Sequence, residues 1–450
     1  MDPTPLGRQA LEIWLSGVDA VRSERLLQSA VRRKGDRIAI CDEQFSLPDI
    51  GKIAVVGGGK AGAGMAAALE NVLGQQLLDE KVTGWINVPA DCVRPLHKIH
   101  LHAARPAGVN EPTAEGVAGA NQILEIVEQL GPRDLCLVLI SGGGSALLPA
   151  PVPEISLADK QDVTRFLMHA GATIHELNTV RKQLSRIKGG GLLRHCRAGR
   201  TISLLISDVI GDPLDIIASG PTVEDHSTAA DAIAVLEKYA GSPPDVPQTV
   251  LDYLKQSETE KSPHAAALSP VTNHVIGNNR MAVAAAAARA RELGYAVHDL
   301  GSDNAGEANE CGIELANLCR SIRDDHQIVA PPVCVISGGE PVVHVVPTDK
   351  PRKGGRNQQL VLAALDVLWH DGLPRIAILS GGTDGEDGPT DAAGALADAG
   401  ILEKAVENNL DPRSYLAIND SYTFFDACGG LIKTGPTHTN VMDLRVAVIS

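Results

Sequence analysis

Aromatic side chains make up only 3% of this 450-residue chain, so its core has to be built from Leu, Ile, Val and Ala. Paired cysteines are missing too. The eight cysteines stand at 41, 92, 136, 196, 311, 319, 334 and 428, none in a CxxC arrangement. Thiols spaced in this way predict reduced, mostly buried residues in a reducing compartment and argue against a disulfide framework. No apolar run approaches the ~20 residues of a membrane helix. The start of the chain carries Asp2, Arg8 and Glu12 where a signal peptide would have its apolar core. The expectation is a soluble, cytoplasmic protein with no membrane partner. Positive charge is also short: 40 Lys and Arg against 55 Asp and Glu give −15. A nucleic-acid binder needs a basic face, so nucleic acid is not expected as a partner. An anionic small molecule remains open, because a few local cations make a positive cleft on an acidic protein. No GxxxxGK[ST] occurs, which excludes a P-loop, and no serine stands in GxSxG, which argues against a hydrolase elbow.

What is present is 44% hydrophobic and 21% charged, enough to bury a sizeable core, in a length that suggests two or more domains. Apolar residues from Gln9 to Lys34 recur at helical spacing and predict an amphipathic helix on a sheet. Short apolar runs then lead into glycine loops again and again. Lys52 to Val56 leads into Gly57-Gly58-Gly59-Lys60-Ala61-Gly62, and Leu135 to Ile140 into Ser141-Gly142-Gly143-Gly144-Ser145. Ile202 to Ile206 leads into Ser207-Asp208, Val333 to Ile336 into Ser337-Gly-Gly-Glu340, and Ile376 to Leu379 into Ser380-Gly-Gly-Thr-Asp384. Strand, glycine turn and helix in succession predict α/β units, and continuous apolar strands suit a parallel sheet covered on both faces. Ligands then bind beyond the carboxyl ends of the strands, where these loops fall. A polar, proline-containing stretch at residues 256–270 suggests a boundary, dividing the chain into 1–265 and 266–450; Met281 to Leu293 reads as a helix with a glycine stop.

The loops carry the chemistry. Gly57-x-Gly59-x-x-Gly62 has the spacing that lets backbone N–H groups approach a pyrophosphate, or that merely makes a tight turn. A nicotinamide site also wants a carboxylate at the end of the next strand. That strand ends Asn87-Val88-Pro89, which counts against NAD. Lys60, inside the loop, favours contact with phosphate or carboxylate over a solvated lysine. Ser141, Gly142, Gly143, Gly144 and Ser145 form a second anion cradle, against the plainer reading of a flexible turn. Lys188, beside three glycines, is a further anion-binding candidate, whereas Arg181, Lys182 and Arg186 read as a solvated face or salt bridges. Arg356, in Lys353-Gly-Gly-Arg356-Asn-Gln358, suits transition-state phosphoryl oxygens at a helix start, or a surface loop. Asp208 and Asp384, at strand ends, are candidates for Mg2+ or for orienting a hydroxyl, while Asp387 reads as a polar turn. His97, His100 and His102 lack the partners that complete a closed metal site.

Taken in order, these segments resemble the glycerate 2-kinases with a C-terminal MOFRL domain. The resemblance rests on Val56-Gly-Gly-Gly-Lys60-Ala-Gly, Ile140-Ser-Gly-Gly-Gly-Ser145, Asn178-Thr-Val-Arg181 through Lys188-Gly-Gly, Ser207-Asp208-Val-Ile-Gly211, Gly354-Gly-Arg356-Asn-Gln358 and Gly381-Gly-Thr-Asp384-Gly-Glu-Asp387, and it covers nearly the whole chain. It implies a Rossmann-like N-terminal domain with a parallel sheet, a second α/β (MOFRL) domain, and an active site in the cleft between them. It implies ATP and Mg2+ as cofactors, D-glycerate as substrate, phosphorylation at position 2, and Lys60 and Arg356 as the residues that matter most for catalysis. A homodimer is left open. Two segments depart from the family pattern, Ala104 to Glu111 and the positions of His438 and Met442, where the family often has Gly and Asn. The rival readings are an NAD(P)H-dependent hydroxypyruvate reductase and a non-catalytic sugar-acid or nucleotide sensor.

Overall fold

The computed structural model describes residues 3–106, 108–109, 111–239, 246–259, 269–325 and 329–450. The chain forms two compact units, Ser23–Ile276 and a second that joins the residues up to Arg22 to Gly277–Ser450. This differs from a single cut at 265/266, and packing explains the difference. The helix Pro5–Ala20 starts on Thr4, whose hydroxyl caps the Gly7 N–H at 3.1 Å. Its apolar stripe (Ala10, Ile13, Trp14, Val18) packs on Leu379, Leu396, Leu444 and Val446. Trp14 is fully buried and donates through Nε1 to the Gly381 carbonyl at 3.3 Å. Burying one indole removes roughly 150–250 Å² from water, an upper estimate of about 4–6 kcal/mol. The single helix expected over Gln9 to Lys34 is two helices, Pro5–Ala20 and Ser23–Ala30, and then a strand. Most of the polar stretch 256–270 lies outside the described residues.

In the first unit a small antiparallel meander, β1 (Val31–Lys34), β2 (Arg37–Ile40) and β3 (Glu43–Ser46), precedes the main sheet. That sheet contains β4 (Ile53–Gly58), β5 (Val82–Pro89), β6 (Ile99–Arg105), β7 (Leu135–Ile140), β8 (Arg200–Ile206) and β9 (Val271–Gly277), in the order β6-β5-β4-β7-β8-β9. The pairs β4/β5, β5/β6, β4/β7 and β7/β8 are parallel. In chain order this is 3-2-1-4-5-6, the doubly wound arrangement whose switch point lies between β4 and β7. Each residue of β4 and β7 is buried, as expected of strands covered on both faces. The helix Ala114–Glu128 closes one face through Ala120, Ile123, Leu124 and Val127. Helices Leu157–His169, Ile174–Gln183, Ala229–Tyr239 and Gln248–Thr259 gather a separate apolar cluster around Val163, Leu177, Leu236 and Leu254.

The second unit departs from the expected parallel sheet. Its strands are β10 (Ala296–Asp299), β11 (Val333–Gly339), β12 (Ile376–Gly382), β13 (Gly394–Ala397), β14 (Leu431–Ile432) and β15 (Asp443–Ile449), ordered β10-β11-β15-β12-β13-β14. β10/β11 is parallel, and the other described pairs are antiparallel. A continuous apolar run reports burial on both faces and says nothing about strand direction. Because β15 runs against both β11 and β12, those two share a direction, and their Ser-Gly-Gly ends meet the start of β15: Asp443 is in register with Gly339 on one side and Gly382 on the other. Among the described residues no helix is long and apolar enough to cross a membrane, and none of the eight cysteines is joined in a disulfide.

Candidate active site

The two glycine loops of the first unit lie at its switch point and are stitched together. Ser141 N–H donates to Gly58 O at 3.3 Å and Lys60 N–H to Gly142 O at 2.9 Å. The Ser141 hydroxyl accepts from Ala61 N–H at 3.0 Å. Glycine is obligatory at residue 59, where φ is +150° and a Cβ would stand 2.1 Å from Ser141 Oγ. The first loop therefore commits its amides to protein acceptors: Gly59 N–H goes to Asn87 O at 3.1 Å and Gly62 N–H to Gly59 O at 3.0 Å. The second loop differs. Among the described residues the amides of Gly142, Gly143 and Ser145 have no protein acceptor, and Gly143 is left-handed at φ 76°. Successive unengaged N–H groups around a left-handed residue form an anion-binding concavity. The first loop acts as the support and the second as the cradle. Gly59→Ala should lose about 1–3 kcal/mol to backbone strain, with the overlap on Ser141 in addition. The expected outcome is a lower urea midpoint than that of the wild type.

Basic side chains ring this cradle. Lys60 Cγ lies 3.6 Å, and an Arg105 terminal nitrogen 3.2 Å, from the position a Cβ on Gly143 would take. On the other side Lys188, 2% exposed, reaches Ser145 Oγ at 2.7 Å, Ser145 O at 3.0 Å and Ala218 O at 3.4 Å. Burial pushes its ammonium well below the usual lysine range, and Lys160 and Arg181 add to this. Lys188 thus contacts the cradle through Ser145, from behind. Asp208 follows β8, the neighbour of β7, on the same carboxyl edge.

Two further basic residues lie out of solvent; of these Arg181 was expected on a solvated face or in a salt bridge, and Lys160 carried no expectation. Arg181 is half-buried, which lowers its pKa, and has no ion-pair partner among the described residues. Lys160 is 4% exposed, and burial, with Arg181 adding, pushes it down to about 7. Lys182 does form salt bridges, to Asp215 and Asp225 at 3.5 Å each, and Arg186 donates to Asn121 at 3.3 Å. The sign for Lys160 follows from linkage. Between the folded value near 7 and the ordinary 10.5 the unfolded chain binds the extra proton, so stability from this group rises with pH across that window and the full burial cost is present below it. Lys160→Met should stabilise the protein at pH 6 and flatten the rise between pH 7 and 10 in urea midpoints. An unchanged pH slope would contradict the burial argument.

In the second unit Arg356 opens the helix Arg356–Leu368. Asp387 caps that helix, accepting from Asn357 N–H at 3.0 Å and Gln358 N–H at 2.8 Å. Residue 355 has to be glycine for this approach, since a Cβ there would lie 2.3 Å from the Asp387 carboxyl carbon. Asp387 is therefore a buried cap and not a surface turn, and the helix N-terminus is already filled by a carboxylate. Burial pushes Asp387 up to about 6, with the two N–H bonds acting the other way. Arg356 is no surface-loop residue. Its fork meets the fully buried Asp443 through Nε at 2.7 Å and Nη2 at 3.0 Å, and Nη1 meets Glu340 at 2.8 Å. Burial acts to lower its pKa, yet these carboxylates hold it above its usual value. Glu340 is raised by burial, against the pull of Arg356. The carboxylates of Asp384 and Asp443 lie 3.1 and 3.6 Å from the Cβ position of Gly382, so Arg356, Glu340, Asp384 and Asp443 share one cluster.

Several partners escaped the sequence reading. Asp443 lacks a glycine signature, and only its register beside Gly339 and Gly382 exposes its role. Arg105 lies in one departing segment; residues 107 and 110 of that segment lie outside the described residues. His438 and Met442 hold left-handed φ of 58° and 69°, a conformation Gly and Asn adopt more readily. The histidines at 97, 100 and 102 separate. His97 pairs with Asp79 at 2.9 Å, His102 meets Glu115 O at 2.8 Å, and His100 stacks on Trp85 with centroids 4.1 Å apart. No group of three metal-ligating side chains occurs among the described residues.

Comparison with known proteins places this architecture. Residues 9–255 match a family described as a domain of unknown function, DUF4147, and residues 333–443 match the MOFRL family. A glycerate kinase of Rattus norvegicus is 37% identical over 98% of this chain and 93% of its own length. A D-glycerate 2-kinase of Thermotoga maritima is 34% identical over 100% of this chain and 99% of its own. The crystal structure of glycerate kinase from Thermotoga maritima superimposes with a TM-score of 0.83, covering 100% of both chains at 34% identity. A protein of Agrobacterium vitis named putative hydroxypyruvate reductase is 39% identical over 94% of this chain and 93% of its own. With both regions matched in order and the likeness running along nearly its whole length, the chain belongs to the glycerate kinase family of DUF4147 and MOFRL proteins.

Proposed function

We propose that the protein transfers the γ-phosphoryl group of ATP to D-glycerate, giving 2-phospho-D-glycerate. The observation that carries this reading is the Ser141–Ser145 cradle: unengaged amides at a switch point, flanked by Lys60 and Arg105 and backed by Lys188. Phosphoryl transfer depends on positioning and charge neutralisation more than on covalent chemistry. Lys60 faces the anion held on these amides and neutralises charge as it develops. Arg356, oriented by Asp443 and Glu340, acts in the same turnover. Eight cysteines outside any disulfide fit a reducing, cytoplasmic setting.

The donor chemistry fits magnesium. Asp208 in the first unit and Asp384 in the second each present hard oxygens at a strand end, and either carboxylate would serve this ion, which completes its shell with phosphate and water. Asp387 is withdrawn from such a role by its two N–H bonds. Bound there, magnesium would supply positive charge to offset that of the phosphate groups.

The reductase reading has less support. Asn87 occupies the end of β5, where a ribose-holding carboxylate belongs, and is turned inward onto Leu147 O at 2.7 Å and Gly116 O at 3.2 Å. The deciding experiment incubates the protein with D-glycerate and MgATP and resolves 2- from 3-phosphoglycerate. ADP with the 2-isomer is expected. Oxidation of NADH by hydroxypyruvate without ADP formation would favour the reductase, and ligand binding without turnover a sensor.

A further inference from the structure

Ser145 is half-buried and Lys188, Ser219 and Asn178 are buried behind it. Ser145 Oγ lies 2.7 Å from Lys188 Nζ and 2.9 Å from Ser219 Oγ, and the Ser219 hydroxyl donates to Asn178 Oδ1 at 2.9 Å. We propose that Ser145 and Lys188 form a hydroxyl–amine dyad that withdraws the proton of the glycerate hydroxyl as it takes up the phosphoryl group, with Ser219 and Asn178 positioning Ser145. The proposal rests on the kinase reading above.

The geometry suits an uncharged amine. Its nitrogen has four uncharged oxygens within hydrogen-bond distance, Ser145 Oγ (2.7 Å), Ser145 O (3.0 Å), Ala218 O (3.4 Å) and Ser219 Oγ (3.4 Å), so an unprotonated amine can donate two N–H bonds among them and still turn its lone pair to the Ser145 hydroxyl. No carboxylate forms an ion pair with Lys188 among the described residues. The charges around it are accounted for. Asp215 and Asp225 are engaged by Lys182, Arg194 donates to Gly189 O at 2.9 Å, and the charges that act on Lys188 are the cations Lys160 and Arg181. Both effects disfavour the ammonium form. The turn that supplies Ser219 is strained: Ala218 and Ser219 have φ of 51° and 62°. Non-glycine residues in this region cost of order 1–3 kcal/mol each and persist where the surroundings hold them.

The step balances. The substrate hydroxyl proton passes to Ser145 Oγ as the Ser145 proton passes to Lys188 Nζ. The substrate oxygen forms its bond to the γ-phosphorus. The bond from that phosphorus to the β–γ bridging oxygen breaks, its electron pair leaving with ADP. The Lys188 ammonium returns its proton to solvent through Ser145 after product release.

Lys188→Arg keeps N–H donors at this position and removes the lone pair. Its turnover with D-glycerate and MgATP should fall about 10²–10⁴-fold, the range for a general base, while the glycerate KM stays within about threefold. The wild-type kcat should fall on the acid side with unit slope, and that limb should be absent from Lys188→Arg. Ser145→Ala, at a half-exposed position that leaves the buried residues in place, should lose turnover to a similar extent. A fluorophosphonate, applied without ATP or glycerate and read by intact mass, should label Ser145 in the wild type and not in Lys188→Arg. The dyad is overturned if either variant keeps wild-type kcat within about threefold, or if Ser145 labels equally with lysine or arginine at 188. A wild type that labels but makes no ADP would refute the kinase reading alone.

Discussion

Replacing Lys60 by Ala should cut turnover by on the order of 10²–10³, comparable to losing one preorganised donor, while leaving stability within about 0.5 kcal/mol, as for a partly exposed position. The backbone of residue 60 is fixed by its N–H bond to Gly142 and by the constrained Gly59 before it, so truncation removes the ammonium without moving the cradle. Because that charge is needed most when phosphoryl oxygens become more negative, kcat should drop more than KM rises. Lys60→Arg should recover part of the loss, since it restores charge in a planar shape. Steady-state ADP release across glycerate concentrations makes the test. Near-normal turnover in the alanine variant would remove Lys60 from the mechanism.

Asp443→Ala should be the most destabilising single change in the second unit, costing about 3–5 kcal/mol, as when one partner of a buried pair is lost. The Asp443 side chain is fully buried and holds two nitrogens of Arg356. Its removal leaves a half-buried guanidinium with Glu340 as the remaining ion-pair partner among the described residues. Adding Arg356→Met should recover part of the stability, because the stranded charge goes with it, but not the activity. Hydrogen exchange in β11 and β12 reads the effect locally, beside urea unfolding of the whole chain. A loss below about 1 kcal/mol would place this pair with exposed ion pairs.

The sequence was most legible where chemistry is local. Strands β4, β7, β8, β11 and β12 were readable because each is a short apolar run ended by Ser or Gly. The loops at 57–62 and 141–145 declared themselves by glycines that no other residue replaces. Lys60 and Lys188 were visible because a cation among glycines is conspicuous. Arg181 was less so: a basic run looks the same whether it faces solvent or a buried cluster. Asp387 was misread for a similar reason, since acid among glycines suits a turn and a buried helix cap alike, and only the approach permitted by Gly355 separates them.

By itself, then, the chain determined its strand-and-loop units, an aliphatic core low in aromatics, and which glycine loops could meet an anion, because turn geometry and burial pattern act over a few residues. Tertiary structure decided who meets whom: Ser145 with Lys188 across 43 residues, Arg356 with Asp443 across 87, and the first helix with the sheet that ends the chain. Those pairings depend on strand order, direction and register, which arise from competition among buried surfaces far apart in sequence, and no local spacing encodes that competition.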